Sequence, residues 1–522
     1  MRDESEAQNV PRSKLKLANE NPWYVLMTLF GEQEDKDNLQ DLEVWKKNRD
    51  LWNFLDRAEV NSDRDHERLV YNESSPQQGI LSFRDIKEKH EQEMKFRNSG
   101  NFMYPGFPDL KRQPSLRECE FRRSVKLAEF CFRGGLNLHA SVFEEHLDLS
   151  GAVFEGDLYV SGAQVKCGLS SQEVVFKGIV NFKYVHFNGL INFRSSEFEK
   201  LAEFSCVHFG SQDKRSGRTD FQNAKFSGRA EFSSSCFFHP VIFQNVAFAE
   251  KANFGATEFK KDIYFDAAVF DKSLTLSSAI FESAVSFRAA LFHGVVAFNR
   301  AEFLSKEPRF APNFSEAVFD KPANFRGAKF ETLYPVFEDA ILHERTKFTV
   351  DEKGETYWPA RTEQPLNIAK ETCSTIRHIL AKQSLSEDEH FFFRKEMHFA
   401  GQIGSIWQRL PYLLFGLFSD YGHSIARPFW FLFGVWFVGV AFFSAHFVVD
   451  HSGLFESAND WTALGLSFSN LFPVFGFGRV YFGGQLNELP PFLKFVAGFQ
   501  TVASLPLLFF LGLGLRQRFR LR

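Results

Sequence analysis

Along residues 121–348 phenylalanine returns at a spacing that barely drifts, and the positions between are small, polar or charged. Phe226, Phe237, Phe248, Phe259, Phe270, Phe281, Phe292 and Phe303 follow one another at eleven-residue steps. A second series, Phe221, Phe232, Phe243, Phe254, Phe265, Leu276, Phe287 and Phe298, falls between them, so the step alternates between five and six. Two residues before most of these stands a small or β-branched side chain: Ala224, Ala268, Ala279, Ala290 and Ala301 in one series, Ala230, Val241, Ala252, Ile263 and Val285 in the other. A fixed short period marks a repeat architecture. Eleven residues also fit three helical turns, but the intervening residues are Ser, Gly, Asn and β-branched types, which are poor helix formers. Gly178, Gly189, Gly228, Gly294 and Gly327 fall where a chain must turn. The pattern predicts short strands that turn every five or six residues. Coils then stack about 4.8 Å apart, with like side chains layered inside and backbone bonds running from coil to coil.

The run Ala323-Asn324-Phe325-Arg326-Gly327-Ala328-Lys329-Phe330 resembles the pentapeptide-repeat family, whose unit is a small residue, any residue, Leu or Phe, and two polar positions. That resemblance implies a mainly β fold, a right-handed quadrilateral β-helix. The period here is eleven rather than ten, so a coil holds about 22 residues and one or two corners are looser than an ideal square. The register begins at Phe121 and passes through Phe132, Phe143, Phe154, Val165, Phe176, Phe187 and Phe198 to Phe209. The companion series starts weaker: Leu127, Leu138, Leu149, Val160 and Ser171, then Phe182, Phe193 and Phe204. Residues 210–220 add six to the register and residues 304–313 add five. Both are predicted to bulge from a corner as surface loops. Lys214, Arg215 and Arg218 make the first a contact candidate, with a plain tolerated insertion the blander alternative. The last units are Phe325, Phe330, Phe337, Leu342 and Phe348.

The flanks read differently. Residues 1–115 are predicted to be a helical head and a polar linker. Residues 1–20 read as disordered. Trp23, Leu26, Leu29 and Phe30, then Leu42, Val44, Trp45, Leu51, Trp52 and Leu55, recur at helical steps. Trp45 and Trp52 read as the core of a helical hairpin rather than a partner surface. Residues 61–115, with Pro76, Pro105, Pro108 and Pro114, read as a loop-rich linker. Residues 116–350 are the β-helix. Residues 351–427 read as a helical linker: one helix over Leu366–Lys382 and a second over 386–402, opened by Ser386 and Glu389 as a capping box. Its stretch from Phe391 to Met397 resembles the linker of membrane-bound pentapeptide-repeat proteins, and Ser419 to Ser424 with Arg427-Pro428 resembles their approach to the bilayer. Residues 406–418 are apolar but short, at most an interfacial helix.

Residues 428–522 read as a membrane domain. Residues 429–449 hold no Lys, Arg, Asp or Glu, and 492–515 hold only Lys494. Arg427 precedes the first span; Arg516, Arg518, Arg520 and Arg522 follow the second; Arg479 is the one basic residue of the loop at 450–491. This places both termini on the cytoplasmic side, and the resemblance places the chain in a bacterial inner membrane. Within the loop, Asn459 or Asp460 can cap a short helix over 461–471 that Pro473 ends, and Val474, Phe475, Gly476, Phe477 and Gly478 follow as a Gly-rich turn. Span, short re-entrant helix, Gly-rich turn and span is the order of two-span pore-loop cation channels. Gly476-Phe477-Gly478 resembles their filter, where backbone carbonyls replace an ion's water. Val474 and Arg479 stand where that pattern carries Thr and commonly Asp. Gln500, Thr501 and Ser504 share one face of the second span, as a pore lining or as tight helix packing.

Composition narrows the function. Lys+Arg 61 against Asp+Glu 65 gives a net charge of −4, against a charge-driven nucleic-acid binder and too mild for a DNA mimic. The N-terminus is charged throughout and lacks an apolar core, so no cleaved signal peptide is expected. Six cysteines, Cys119, Cys131, Cys167, Cys206, Cys236 and Cys373, lack metal-finger spacing and read as buried free thiols. No catalytic motif is present, and no cofactor or metal is expected. His186, His208, His239 and His293 read as scattered outer-face residues that build no ligand set. Three functions follow: a membrane-tethered scaffold binding a protein partner on a β-helix face; a pore-loop channel assembled from copies of the chain, four by analogy; and a gyrase-protecting DNA mimic, which two spans and a balanced charge disfavour.

Overall fold

The computed structural model describes residues 15–32, 39–58, 69–72, 80–98, 103–211, 217–350, 356–449 and 459–518. The chain forms two compact units, Met1–Pro365 and Leu366–Arg522.

The first unit is a β-solenoid of about ten turns with a helical N-terminal part. Four parallel sheets of 11, 9, 10 and 8 strands form its sides. Each strand is two or three residues long and pairs with the strand one coil away: Phe237 with Phe259, Phe226 with Phe248, Ala230 with Ala252, Val241 with Ile263. The step is 22 residues, the coil that the eleven-residue period predicts. Both Phe series point inward and are fully buried, as are the alanines and β-branched residues two positions before them.

Rings stack within each column. Phe232 lies 4.7 Å from Phe254 with planes 1° apart, and Phe243 lies 5.0 Å from Phe265 at 8°. Between opposite columns the rings meet edge to face, as Phe221 meets Phe232 at 5.6 Å and 89°. Both arrangements put the positive ring edge against a negative face, directly or by offset.

The two corners of each half-coil differ. The five-residue step contains a left-handed residue, at Ser234, Asn245, Ala256, Ala267, Ser278 and Ala289 with φ between 53° and 57°. Side chains before it help close the turn: Asn253 Oδ1 accepts from Gly255 N at 3.0 Å, and Asn192 Oδ1 from Arg194 N at 3.0 Å. Glycine is therefore mostly not the turn residue here, although Gly327 is one case with φ 72°. At the six-residue step Gly228 and Gly294 serve another need. A Cβ on Gly228 would lie 2.2 Å from Lys200 O, and on Gly294 2.2 Å from Lys272 O, so consecutive coils nearly touch there.

The insertions lie where the register places them: Phe209 pairs with Phe237 and Phe303 with Phe330, each in sequence with the regular coils. The second contains a short 3-10 turn, Pro308–Phe310.

The head differs from expectation in two ways. Residues 15–20 are ordered: Lys16–Leu17 pairs in parallel with Cys119 and Glu120 of the first coil. Helices α1 (Pro22–Met27) and α2 (Leu39–Arg57) are joined by α3 (Phe83–Arg97), inside the stretch that reads as a linker. Ser82 and Asp85 form its capping box, and buried His90 links it to Tyr104 and Pro22. Trp52 meets Trp23 of α1 at 6.2 Å, and Trp45 and Trp52 also dock α2 on the solenoid. Trp52 Nε1 donates to Cys131 O at 2.7 Å, Trp45 Nε1 to Ala128 O at 3.3 Å, and the Trp52 ring lies 5.5 Å from Phe132. At the other end Trp358 stacks on Phe330 at 4.7 Å and donates to Thr349 O. At each end of the solenoid one ring column is thus closed by an indole whose N–H finds a backbone carbonyl, Trp52 on the Phe132 column and Trp358 on the Phe330 column.

In the second unit α4 (Leu366–Lys382) and α5 (Ser386–Ala400) pair through Cys373, Ile376, Leu380, Phe392 and Phe399. The N-cap of α5 is Leu385 with no side-chain cap, so the expected Ser386 capping box is not formed, while Glu387, Asp388 and Glu389 do occupy the first turn. Then follow α6 (Ile406–Ser419), α7 (Ala426–Val449), α8 (Asn459–Leu471), α9 (Phe477–Glu488) and α10 (Pro491–Arg518). α7 and α10 are antiparallel. Phe443 meets Leu493 and Ala497 at one end, Leu432 meets Leu507 at the other, and α8 fits against both through Ala463, Leu466 and Leu471. Two helices, Ala426–Phe447 within α7 and α10 itself, are long and apolar enough to cross a membrane.

Candidate functional site

The polar centre of the second unit is built on Gln500. Its Nε2 donates to Val435 O at 2.9 Å and to Ser467 Oγ at 2.8 Å, and its Oε1 accepts from Asn470 Nδ2 at 3.1 Å. Ser467 in turn donates to Trp436 O at 2.8 Å. The amide thus ties α10 to α7 and α8 within one chain. Ser504 is fully buried and donates to Thr501 O at 3.0 Å, and Thr501 Oγ1 donates to Ala497 O at 3.0 Å. Gln500 and Ser504 are both buried, and their hydrogen bonds stay within the chain. Gly439 makes room: a Cβ there would lie 1.8 Å from Gln500 Nε2.

The filter-like stretch does not form an extended turn. Pro473, Val474 and Phe475 make a 3-10 turn, Gly476 is left-handed at φ 69°, and Phe477 and Gly478 open α9. Carbonyls at the start of a helix bond along it and are not ranked toward an axis. Val474 and Phe475 are largely exposed. Asn459 and Asp460 lie within α8 rather than before it. The side chain of Arg479, and Arg520 and Arg522, lie outside the described residues.

On the solenoid the structure joins two histidines that read as scattered. His186 and His208 stand one coil apart and pair in register, with Nδ1 atoms 3.0 Å apart. Their 22-residue separation is the signal that finds them. Burial holds both below the usual histidine range. Cys236 is the next rung, its thiol pushed up to about 11 by burial and then by Glu258. Among the described residues no group of three or more His, Cys, Asp or Glu side chains is arranged to hold a metal ion. His293 pairs with Asp320 on the surface at 2.6 Å. His239, expected outside, is buried against Gly210 and Gly217 at the two ends of the first insertion. Of the insertion's basic residues, Arg218 pairs with Asp220 at 2.9 Å, and Lys214 and Arg215 lie outside the described residues. The cysteines are free thiols: Cys119, Cys131 and Cys373 are buried, Cys206 and Cys236 are half-buried, and Cys167 is exposed, against expectation.

Outward rungs of the solenoid carry charge in pairs between coils, including Lys166 with Glu144 at 2.6 Å, Lys260 with Glu282 at 2.7 Å and Arg288 with Glu316 at 2.8 Å. Comparison with family models, curated proteins and solved structures returns no match.

Proposed function

We propose that this protein is a membrane-tethered scaffold without catalytic chemistry, whose solenoid is an eleven-residue-period relative of the pentapeptide-repeat fold. Two apolar helices anchor it, both termini lie on the cytoplasmic side, and a flat solenoid face binds a protein partner. The observation that carries this reading is the opposite placement of aromatic surface in the two units. The solenoid turns its rings inward and charges outward. Helices α7 and α10 turn Phe429, Trp430, Phe437, Phe492, Phe495, Phe499 and Phe509 outward. Exposing such surface to water costs roughly 25 cal/mol per Å², and a hydrocarbon layer removes that cost. Arg427, Arg516 and Arg518 stand at one end of the antiparallel pair, the end that the charge rule assigns to the cytoplasm.

Two measurements test it. Alkaline carbonate should leave the full chain in the membrane pellet and detergent should release it. A photo-crosslinker at outward Ile242 or Tyr264 should trap one specific protein; release by carbonate, or crosslinks no more selective than those from Lys494, sinks the reading.

Pore-loop conduction is a second reading, favoured by one observation: α8, too short to span, packs against both apolar helices. The helical start of α9 and the internal bonds of Gln500 speak against it. Ion flux through reconstituted protein that responds to changes at Gly476 and Gly478 would establish it.

A further inference from the structure

The end of the second unit where the apolar helices meet α5 and α6 gathers cations around a tightly wound turn. Asp420, Tyr421 and Gly422 are all left-handed, at φ 51°, 55° and 83°. Ser419 holds them: its Oγ accepts from Gly422 N at 3.1 Å and its carbonyl from Ser424 N at 2.9 Å. The turn sets Asp420 between two guanidinium groups, Arg394 of α5 at 3.2 Å and Arg427 of α7 at 3.9 Å. His390, one helical turn before Arg394, meets the His423 ring at 5.5 Å and Gln517 Oε1 at 2.7 Å. Burial, then the charges of Arg394 and His390, hold His423 below its ordinary range; Arg518 adds to this and Asp420 opposes it. Two arginines thus flank one carboxylate, and a third, Arg518, acts on the neighbouring His423. Two polar atoms on the same side of α5, His390 Nδ1 and Arg394 Nε, are buried without a hydrogen-bond partner.

We propose that this cluster binds the phosphate of an anionic membrane lipid, with Arg394, Arg427 and Arg518 as the charged contacts. The proposal rests on the membrane reading above. Depth selects a lipid over free phosphate. Arg427 lies in the first turn of α7 and Arg518 in the last turn of α10. Exposed apolar side chains begin directly beside them, at Phe429, Trp430 and Leu515, and α6 adds Ile406, Trp407, Leu413 and Leu417. A headgroup at the arginines would lay its acyl chains along these surfaces. Free phosphate has nothing to place there. Basic residues between membrane helices on the cytoplasmic side favour anionic headgroups for the same reason.

The full chain in detergent, stripped of lipid, is titrated with phosphatidylglycerol or phosphatidylcholine, and bound lipid is counted by native mass spectrometry. Phosphatidylglycerol should be retained preferentially, and R427Q and R394Q should each weaken it about fivefold. Arg427 is half exposed, so R427Q keeps the fold even where R394Q does not. K494Q, at the far end of α10, should leave retention unchanged. Equal retention of both lipids, indifference to R427Q, or displacement by inorganic phosphate overturns the proposal. Loss of the chain from membranes in carbonate would instead remove the reading beneath it.

Discussion

Phe209 and Phe237 stack face to face, with ring centroids 4.3 Å apart and planes 1° from parallel, although the first insertion lies between them. The ladder closes across the extra residues as if they were absent. Removing residues 211–216 restores a 22-residue coil and keeps Gly210 and Gly217 against His239. The melting temperature should move by no more than about 3 °C, since loop length costs little. Phe237→Ala, with the loop intact, should cost about 3–5 kcal/mol in denaturant titration.

The ends of the column depend on single side chains. Trp358→Ala removes the ring stacked on Phe330 and the donor to Thr349 O. In a solenoid each coil is stabilised by its neighbours, so loss at an end frays inward. Amide exchange should accelerate at least tenfold around Phe325, Phe330 and Phe348 and stay unchanged around Phe243 and Phe254. Uniform acceleration would show that the ring does not act as a local cap.

Asp56 couples the head to pH. Burial is the main cause pushing its carboxyl up to about 6, against backbone donation from Arg133, which lowers it. A raised folded value means that the folded state holds the proton more tightly than the unfolded one. Stability from this group is therefore full at low pH, falls as pH rises from about 4 to about 6, and is flat above. Asp56→Asn should remove that fall. Its stability relative to the parent, read by chemical denaturation, should be higher at pH 7.5 than at pH 4. A constant difference across that range would refute the assignment.

Gln500 and Gly439 act as a pair. Gly439→Ala forces a methyl into the space of the Gln500 amide, whereas Gly434 has nothing within 4 Å of its own Cβ. In detergent, Gly439→Ala should lower the melting temperature of the helical unit and Gly434→Ala should not. Gln500→Leu leaves Asn470 Nδ2 without its acceptor and takes a donor from Ser467 Oγ, which keeps its bond to Trp436 O; polar contacts between membrane helices are worth about 0.6–2 kcal/mol, and a loss of that size is expected.

The solenoid was legible because its period acts on every residue: a Phe at each eleventh position leaves one way to bury the rings, and the coil length follows from it. The coil length also pairs His186 with His208, a consequence visible only when positions are compared across 22 residues rather than within one unit. The ends were not legible. Trp52 and Trp358 look like any apolar residue in a helix or loop, and the carbonyls of Cys131 and Thr349 that receive their N–H groups are far away or unmarked in sequence. The Gly476-Phe477-Gly478 stretch, which here opens α9, is open to more than one conformation for a related reason. Glycine permits a filter turn and a helix start alike, so the residue types leave the conformation open. Gln500 stood on a small polar face with two readings, and its partners on α7 and α8 could not be read from the sequence.

Ser171 is the weak rung of its column. It occupies a ring position between Leu149 and Phe193, is fully buried, and its Oγ has no hydrogen-bond partner. A buried hydroxyl without a partner carries a desolvation cost of about 1–3 kcal/mol. Ser171→Ala removes the hydroxyl without adding volume, so it should raise stability by about 1 kcal/mol. The backbone carbonyl of Ser171, which accepts from Ser196 Oγ, is unchanged by the substitution. Ser171→Phe would continue the ring ladder, with the smaller Val160 opposite and Val165 on one side, and Phe176 on the other. It gains stacking on Phe193 only if those smaller side chains leave it room. Denaturant midpoints for the two substitutions separate the terms. Ala above the parent shows that the hydroxyl is the cost, and Phe above Ala shows that the column was underfilled. Ala below the parent would mean that the hydroxyl is hydrogen-bonded in solution and that this level of the solenoid is not dry.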